Sequence, residues 1–263
     1  MPSVANLEML TRIGFAARGI LYLVIGYLAS RSGGAADNVE ALNYLNGTAG
    51  KIFLAIMALG FAAYGLWRLS EAFLDTEAHG SDAKGIAVRI GGAASGLIHL
   101  ALCVYAARLA FGSGRYTGGG TSEGAATALS LPGGQLLLTI AAIGIFVTGL
   151  YQLIKAIKLD FLKHLEPSVA KSDLVAWAGR IGYAARGIVF AIVGWFFWNA
   201  SQHARAAEAG GTEEAMASLP DGLRFLVALG FVLFGIFSLV EARYRRINDP
   251  HVLSRLKRQS HPV

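Results

Sequence analysis

Arg18 and Arg186 are the residues of this chain whose placement most invites chemistry, because each sets a fixed positive charge inside an apolar run. Each lies six residues past another arginine, Arg12 or Arg180, which is about 9 Å deeper along a helix rising 1.5 Å per residue. An arginine near the middle of a membrane span costs roughly 2.5–3.5 kcal/mol on the insertion scale, so it turns toward a partner or a wet cavity. The outer arginines can snorkel to headgroups, the inner ones less easily. Glu71 and Glu241 end two other apolar runs and are the available counter-charges, for an arginine of their own unit or of a neighbouring one. Paired, Arg18, Glu71, Arg186 and Glu241 are structural pins closing one end of a bundle. Left unpaired, the arginines form an anion-attracting vestibule.

His99 is the sharpest single residue. It falls one helical turn after Ser95 and one turn before Cys103, so the three share a stripe. A histidine inside a span is a candidate proton relay or axial ligand; the plainer reading is a histidine hydrogen-bonded to a neighbouring helix. Bis-histidine haem needs a second ligand at matching depth, and His79, His164, His203, His251 and His261 all lie outside the apolar runs. The lone Cys103 excludes an intramolecular disulfide, a CxxC metal site and covalent haem attachment. No cofactor or metal is expected. The sequence contains no HExxH or P-loop and no paired intramembrane Asp motif, so no enzymatic activity is expected either.

The elements that must hold these residues repeat three times. RIGFAARGI at Arg12, RIGGAASGL at Arg89 and RIGYAARGI at Arg180 each open an apolar run. GFAAYGLWRLSE from Gly60, GIFVTGLYQLIK from Gly144 and GFVLFGIFSLVE from Gly230 occupy matching later places. With 54% apolar and 15% charged residues and a mean hydropathy of +0.51, the chain is too apolar for an ordinary soluble domain. Runs at 13–30, 52–66, 90–107, 136–154, 181–200 and 225–240 predict six transmembrane helices. The expected fold is all-α and polytopic: three parallel helical-hairpin repeats at 8–76, 85–160 and 174–245, arranged as a pseudo-threefold bundle, followed by a basic tail at 246–263. Gly14, Gly19 and Gly26 align with Gly182, Gly187 and Gly194, and each second run carries two glycines five apart. Such residues let helix backbones approach closely in lipid.

The net charge of +6 is a matter of topology. Seventeen of the 23 Lys and Arg lie toward the termini and the two loops joining repeats; the rest are Arg31, Lys51, Arg108, Arg115, Arg205 and Arg224. That bias places both termini in the cytoplasm. No basic-aromatic platform suggests nucleic acid. The expected partners are the bilayer itself, anionic lipid at the cytoplasmic face and a membrane protein; the tail basics Arg243, Arg245, Arg246, Arg255, Lys257 and Arg258 would each contribute around 1 kcal/mol at such a surface. The N-terminal segment has no basic lead or cleavage site, so the first helix is expected to be retained. Asn38–Leu45, Glu123–Leu131 and Glu213–Leu219 are expected as short interfacial helices within otherwise Gly- and Ser-rich connectors.

The triple RIG(F/Y)AARGI motif, the Ala/Leu-rich connectors, two of which end in proline, and the EARYRRI ending resemble the bacterial DUF1206 family over nearly the whole chain. The resemblance implies a bacterial membrane protein of three two-helix repeats and brings no reaction, ligand or catalytic residue. Repeat two departs from the motif at Gly92 and Ser95, and its replacement of the inner arginine by Ser95 and of the glutamate by Lys155 reads as the joint loss of both members of one pair. The expected role is a non-enzymatic structural or interaction component of the cell envelope in the inner (plasma) membrane. The alternative is a small anion- or proton-coupled channel or carrier with an axial site near Arg18, Ser95, His99 and Arg186.

Overall fold

With no water in hydrocarbon to satisfy backbone N–H and C=O groups, long apolar runs must bond within themselves as helices. The computed structural model describes residues 4–31, 36–48, 50–75, 79–112 and 121–245. These form α1 (Val4–Ser30), α2 (Asn38–Thr48), α3 (Gly50–Leu74), α4 (Ala83–Phe111), α5 (Thr121–Leu129), α6 (Gly134–Lys158), α7 (Pro167–Ala170), α8 (Asp173–His203), α9 (Thr212–Ala217) and α10 (Asp221–Tyr244). Helices α1, α3, α4, α6, α8 and α10 each contain one predicted run and are long and apolar enough to cross a membrane. The chain is an all-α, multi-pass membrane protein. Its short helices α2, α5 and α9 fall where the connectors predict them. Pro167 opens α7 and Pro220 caps α10, leaving the long helices free of proline. The tail at 246–263, with Arg246, Arg255, Lys257 and Arg258, and the connector residue Arg115 lie outside the described residues.

The closest helix pairs join the second helix of one unit to the first helix of the next: α3 with α4, α6 with α8, and α10 with α1. One glycine from each partner makes each approach possible. A Cβ at Gly65 would stand 2.9 Å from the Gly96 carbonyl oxygen; one at Gly149, 2.9 Å from that of Gly187; one at Gly235, 2.8 Å from that of Gly19. These distances leave no room for a side chain. Between them the long helices enclose a core that includes Leu21, Ile25, Phe61, Leu109, Val189 and Phe231.

Within a unit the packing is unequal. In the first, Gly14 backs onto Tyr64 and Gly60 onto Ala17; in the third, Gly182 backs onto Phe234 and Gly230 onto Ala185. The middle unit carries the aligned glycines Gly91 and Gly144, yet a Cβ at either meets nothing within 4 Å. Among the described residues α4 and α6 do not pack along one another, and they bury the smallest share of their spans. Equivalence of the three units therefore covers the contacts between units but not the contact inside the middle one. Tyr64 and Phe234 anchor the outer units; the aligned residue in α6 is Thr148, whose hydroxyl donates instead to the Gly144 carbonyl of its own helix at 2.7 Å. The result is a seam between α4 and α6.

The seam makes one substitution harmful and its aligned counterpart harmless. Gly60→Ala places a Cβ 2.4 Å from that of Ala17, an overpacking worth about 1–3 kcal/mol and a fall of several degrees in the unfolding midpoint in detergent. Gly144→Ala meets open space and gains up to about 1 kcal/mol of helix propensity, so its midpoint stays level or rises. Equal losses in the two variants would show that the seam is closed.

Candidate functional site

Gly19 and Gly235 bring α1 against α10, and the side chains beside that contact then meet. Arg18 donates from Nε to Ser238 Oγ at 3.2 Å, from Nη1 to the Tyr64 hydroxyl at 2.8 Å and from Nη2 to Glu241 Oε2 at 2.5 Å. Glu241 Oε1 accepts from Arg245 Nη1 at 2.9 Å. Arg18 is 5% exposed and Glu241 1%, so this is a dry network in which each charge is met by opposite charge or hydrogen bonds. Phe15, Phe234 and Tyr64 surround the guanidinium, their ring centres 4.3, 4.9 and 5.3 Å from Cζ. Three helices, α1, α3 and α10, are tied at the end of the bundle where α1, α4 and α8 begin, termed the basal end.

Glu71 is fully buried but does not meet Arg18. It pairs with Arg68, three residues earlier on α3, and the His79 Nε2 lies 2.9 Å from its Oε1. The pair faces Gly92 of α4, one of the departures of repeat two, where a Cβ would stand in ordinary contact, 3.4 Å from Arg68 Nη2 and Glu71 Oε2. Nor does Arg186 meet Glu241. Its Cζ lies 4.5 Å from the Phe234 ring centre and 5.1 Å from those of Tyr22 and Phe190, and its Nε is buried with no hydrogen-bond partner among the described residues. The glutamate is already taken by Arg18 and Arg245, because α10 packs on α1 more closely than on its own unit's α8.

The repeats put three trios in register at the three close helix pairs. They are Arg18 with Ser238 and Glu241 at α1/α10, Ser95 with Arg68 and Glu71 at α4/α3, and Arg186 with Gln152 and Lys155 at α8/α6. The first sets an arginine on one helix against an acid on the other. In the second the arginine has moved beside the acid. The third has no acid at the aligned position. The two changes in repeat two, Ser95 and Lys155, therefore fall on different interfaces and are not the lost halves of one pair.

Two of the three arginines that open the motifs cap helix ends. Arg89 donates to the carbonyls of Ala72 at 2.7 Å and Phe73 at 3.2 Å, and Arg180 to that of Ala156 at 3.2 Å, meeting the C-terminal carbonyls of α3 and α6. His99 Nδ1 lies 2.8 Å from the Ser95 carbonyl oxygen and its ring packs on Tyr64 with centres 4.3 Å apart. Arg18 and His99 thus share Tyr64, and Arg18 and Arg186 share Phe234; Ser95 joins through its backbone, and Cys103 is half-buried on the same stripe. Among the described residues no group of three or more His, Cys, Asp or Glu could hold a metal. Sequence reasoning missed Tyr64, Arg68, Gln152 and Ser238, and it set Arg245 at the lipid surface, whereas the residue is 7% exposed and paired with Glu241. Aligning the units to the end of each second helix would have placed Arg68, Gln152 and Ser238 in one row, and the four-residue spacing of Glu241 and Arg245 is that of a helical ion pair.

Three two-helix units, each opened by an arginine-glycine motif and locked to the next at paired glycines, define a class of triplicated membrane protein. The model of the Domain of Unknown Function (DUF1206) matches residues 13–75, 90–158 and 181–245, and the chain belongs to that family. It is 30% identical over 251 residues to the uncharacterized protein YxxB of Bacillus subtilis (strain 168), covering 90% of each chain. No solved structure matches it.

Removing one partner from a buried pair strands the other, at a cost of about 3–5 kcal/mol. Arg18→Gln and Glu241→Gln each lower the unfolding midpoint, and the double substitution falls short of the sum of the two losses. Full additivity in this double-mutant cycle would break the pairing.

Proposed function

We propose that this protein is a non-enzymatic structural or interaction component of the bacterial cell envelope, set in the plasma (inner) membrane with both termini in the cytoplasm. The observation that carries the reading is the Arg18 network. The deepest charge of the first unit is committed on three sides to Ser238, Tyr64 and Glu241, so it holds helices together and is not presented to a solute. His99 is likewise engaged by its own helix and by Tyr64. Orientation follows from charge: Arg12, Arg89, Lys158 and Arg180 belong to the basal end, where cytoplasmic basic residues concentrate. The same end suits contact with anionic lipid and with a membrane-protein partner. The competing reading, an anion- or proton-coupled channel or carrier about Arg18, Ser95, His99 and Arg186, needs a charge free to meet its solute at Arg18, and there the geometry favours a pin.

Two measurements check this. Vesicles containing the purified protein pass protons, chloride and phosphate no faster than empty vesicles. In intact membranes Cys103 stays protected from impermeant thiol reagents on either side until the protein is denatured. Flux above background that Arg18→Ala abolishes would overturn the structural reading in favour of the carrier.

A further inference from the structure

Two of the three aligned helix interfaces hold a carboxylate against an arginine, Glu241 at α10/α1 and Glu71 at α3/α4. The third, α6/α8, places Lys155 where the acid stands in the others and Gln152 in the row of Arg68 and Ser238. Gln152 is 7% exposed, and Lys155 Nζ stands 4.9 Å from the Tyr151 ring centre and 5.8 Å from that of Tyr183, across the interface on α8. Arg186 is enclosed by Tyr22, Phe190 and Phe234, with its Nε buried and unbonded. Aromatic faces offset part of a guanidinium's desolvation but do not satisfy its N–H donors. A buried donor left unsatisfied is costly, more so on a charged group.

We infer that Arg186, Gln152 and Lys155 form a binding site for an oxyanion, a phosphate or carboxylate group, which fills the place that a glutamate side chain fills in the other two interfaces. Arg186 supplies the planar fork of donors suited to two oxygens, Gln152 an amide donor and Lys155 a second charge. Among the described residues α4 does not pack along α6, so that helix does not cover the α6 side of the site. The site lies at the basal end of α6, with Lys155 in the last turn of the helix. At that depth the oxyanion is either the phosphate of a lipid headgroup or free phosphate from the adjoining solution. This inference stands apart from the structural role proposed above, since a resident anion completes a pin without being carried across.

The test is the unfolding midpoint of the full chain in neutral detergent after exhaustive delipidation checked by phosphorus assay. One arm adds inorganic phosphate against chloride at equal ionic strength; the other adds phosphatidylglycerol against phosphatidylcholine. One addition raises the wild-type midpoint by about 3 °C or more at saturation. Lys155→Glu supplies the missing acid, so it raises the midpoint without added anion and abolishes the response. Arg186→Gln abolishes the response as well, and if that variant does not fold, Lys155→Glu decides alone. A response to phosphate assigns the site to a soluble anion, and a response to phosphatidylglycerol alone assigns it to a headgroup. No response to either, or the wild-type response retained in Lys155→Glu, overturns the site.

Discussion

Lipid tails are as apolar as leucine, so burying apolar side chains does not drive helices together in a bilayer; close packing and interhelical hydrogen bonds must. Here the packing is set where glycine faces glycine, at Gly19/Gly235, Gly65/Gly96 and Gly149/Gly187. The polar chemistry depends on these contacts. The inner arginine directly precedes the glycine of the first helix, and its prospective partners follow the glycine of the second helix by three and six residues. Only backbones that nearly touch bring an arginine on one helix within hydrogen-bond reach of both positions on the other. A side chain at Gly19 or Gly235 would push Arg18 away from Ser238 and Glu241 and leave two buried charges apart.

Much of this was legible in the chain. Hydropathy and the triple motif locate the six spans, the three units and the short connector helices, because those depend on local pattern. Of the charged residues singled out from sequence, Arg18, Glu71 and Glu241 are buried at the basal end and Arg186 is half-buried. Their partners could not be read. An acid one helix away in sequence and an acid on the neighbouring unit look equally available, and the choice of Glu241 for Arg18 follows from α1 packing more closely on α10 than on α3. Glu71 was harder still, since its nearest cation, Arg68, reads as a surface neighbour on the same helix until the fold buries the acid. The seam was hidden in the same way. Gly91 and Gly144 repeat the outer units faithfully, and the one sign that they lack a partner is a threonine where the other units carry an aromatic.

Triplication makes these differences informative, because each interface is a control for the other two. The middle unit contributes its first helix to one close pair and its second helix to another, so its divergence is felt at two places. At α3/α4, Ser95 stands where the other units carry an arginine, and the acid pairs within α3 with Arg68. At α6/α8, the loss of the acid leaves Arg186 and Lys155 with the same sign on facing helices.

That second change is linked to the seam by dielectric. Like charges in a low-dielectric bundle repel strongly, and charges stripped of water without a counter-ion cost several kcal/mol each. Lys155 is half-buried on a helix whose one close neighbour is α8. Were α4 to close on α6 as α1 closes on α3, the dry interior would extend over the like charges of Arg186 and Lys155. An open seam keeps that side within reach of water, headgroups or a bound anion, so the missing acid and the missing helix contact are tolerated together. Restoring a carboxylate at position 155 would remove the electrostatic reason for the middle unit to stay apart, leaving only the small Thr148 in the place of an aromatic anchor.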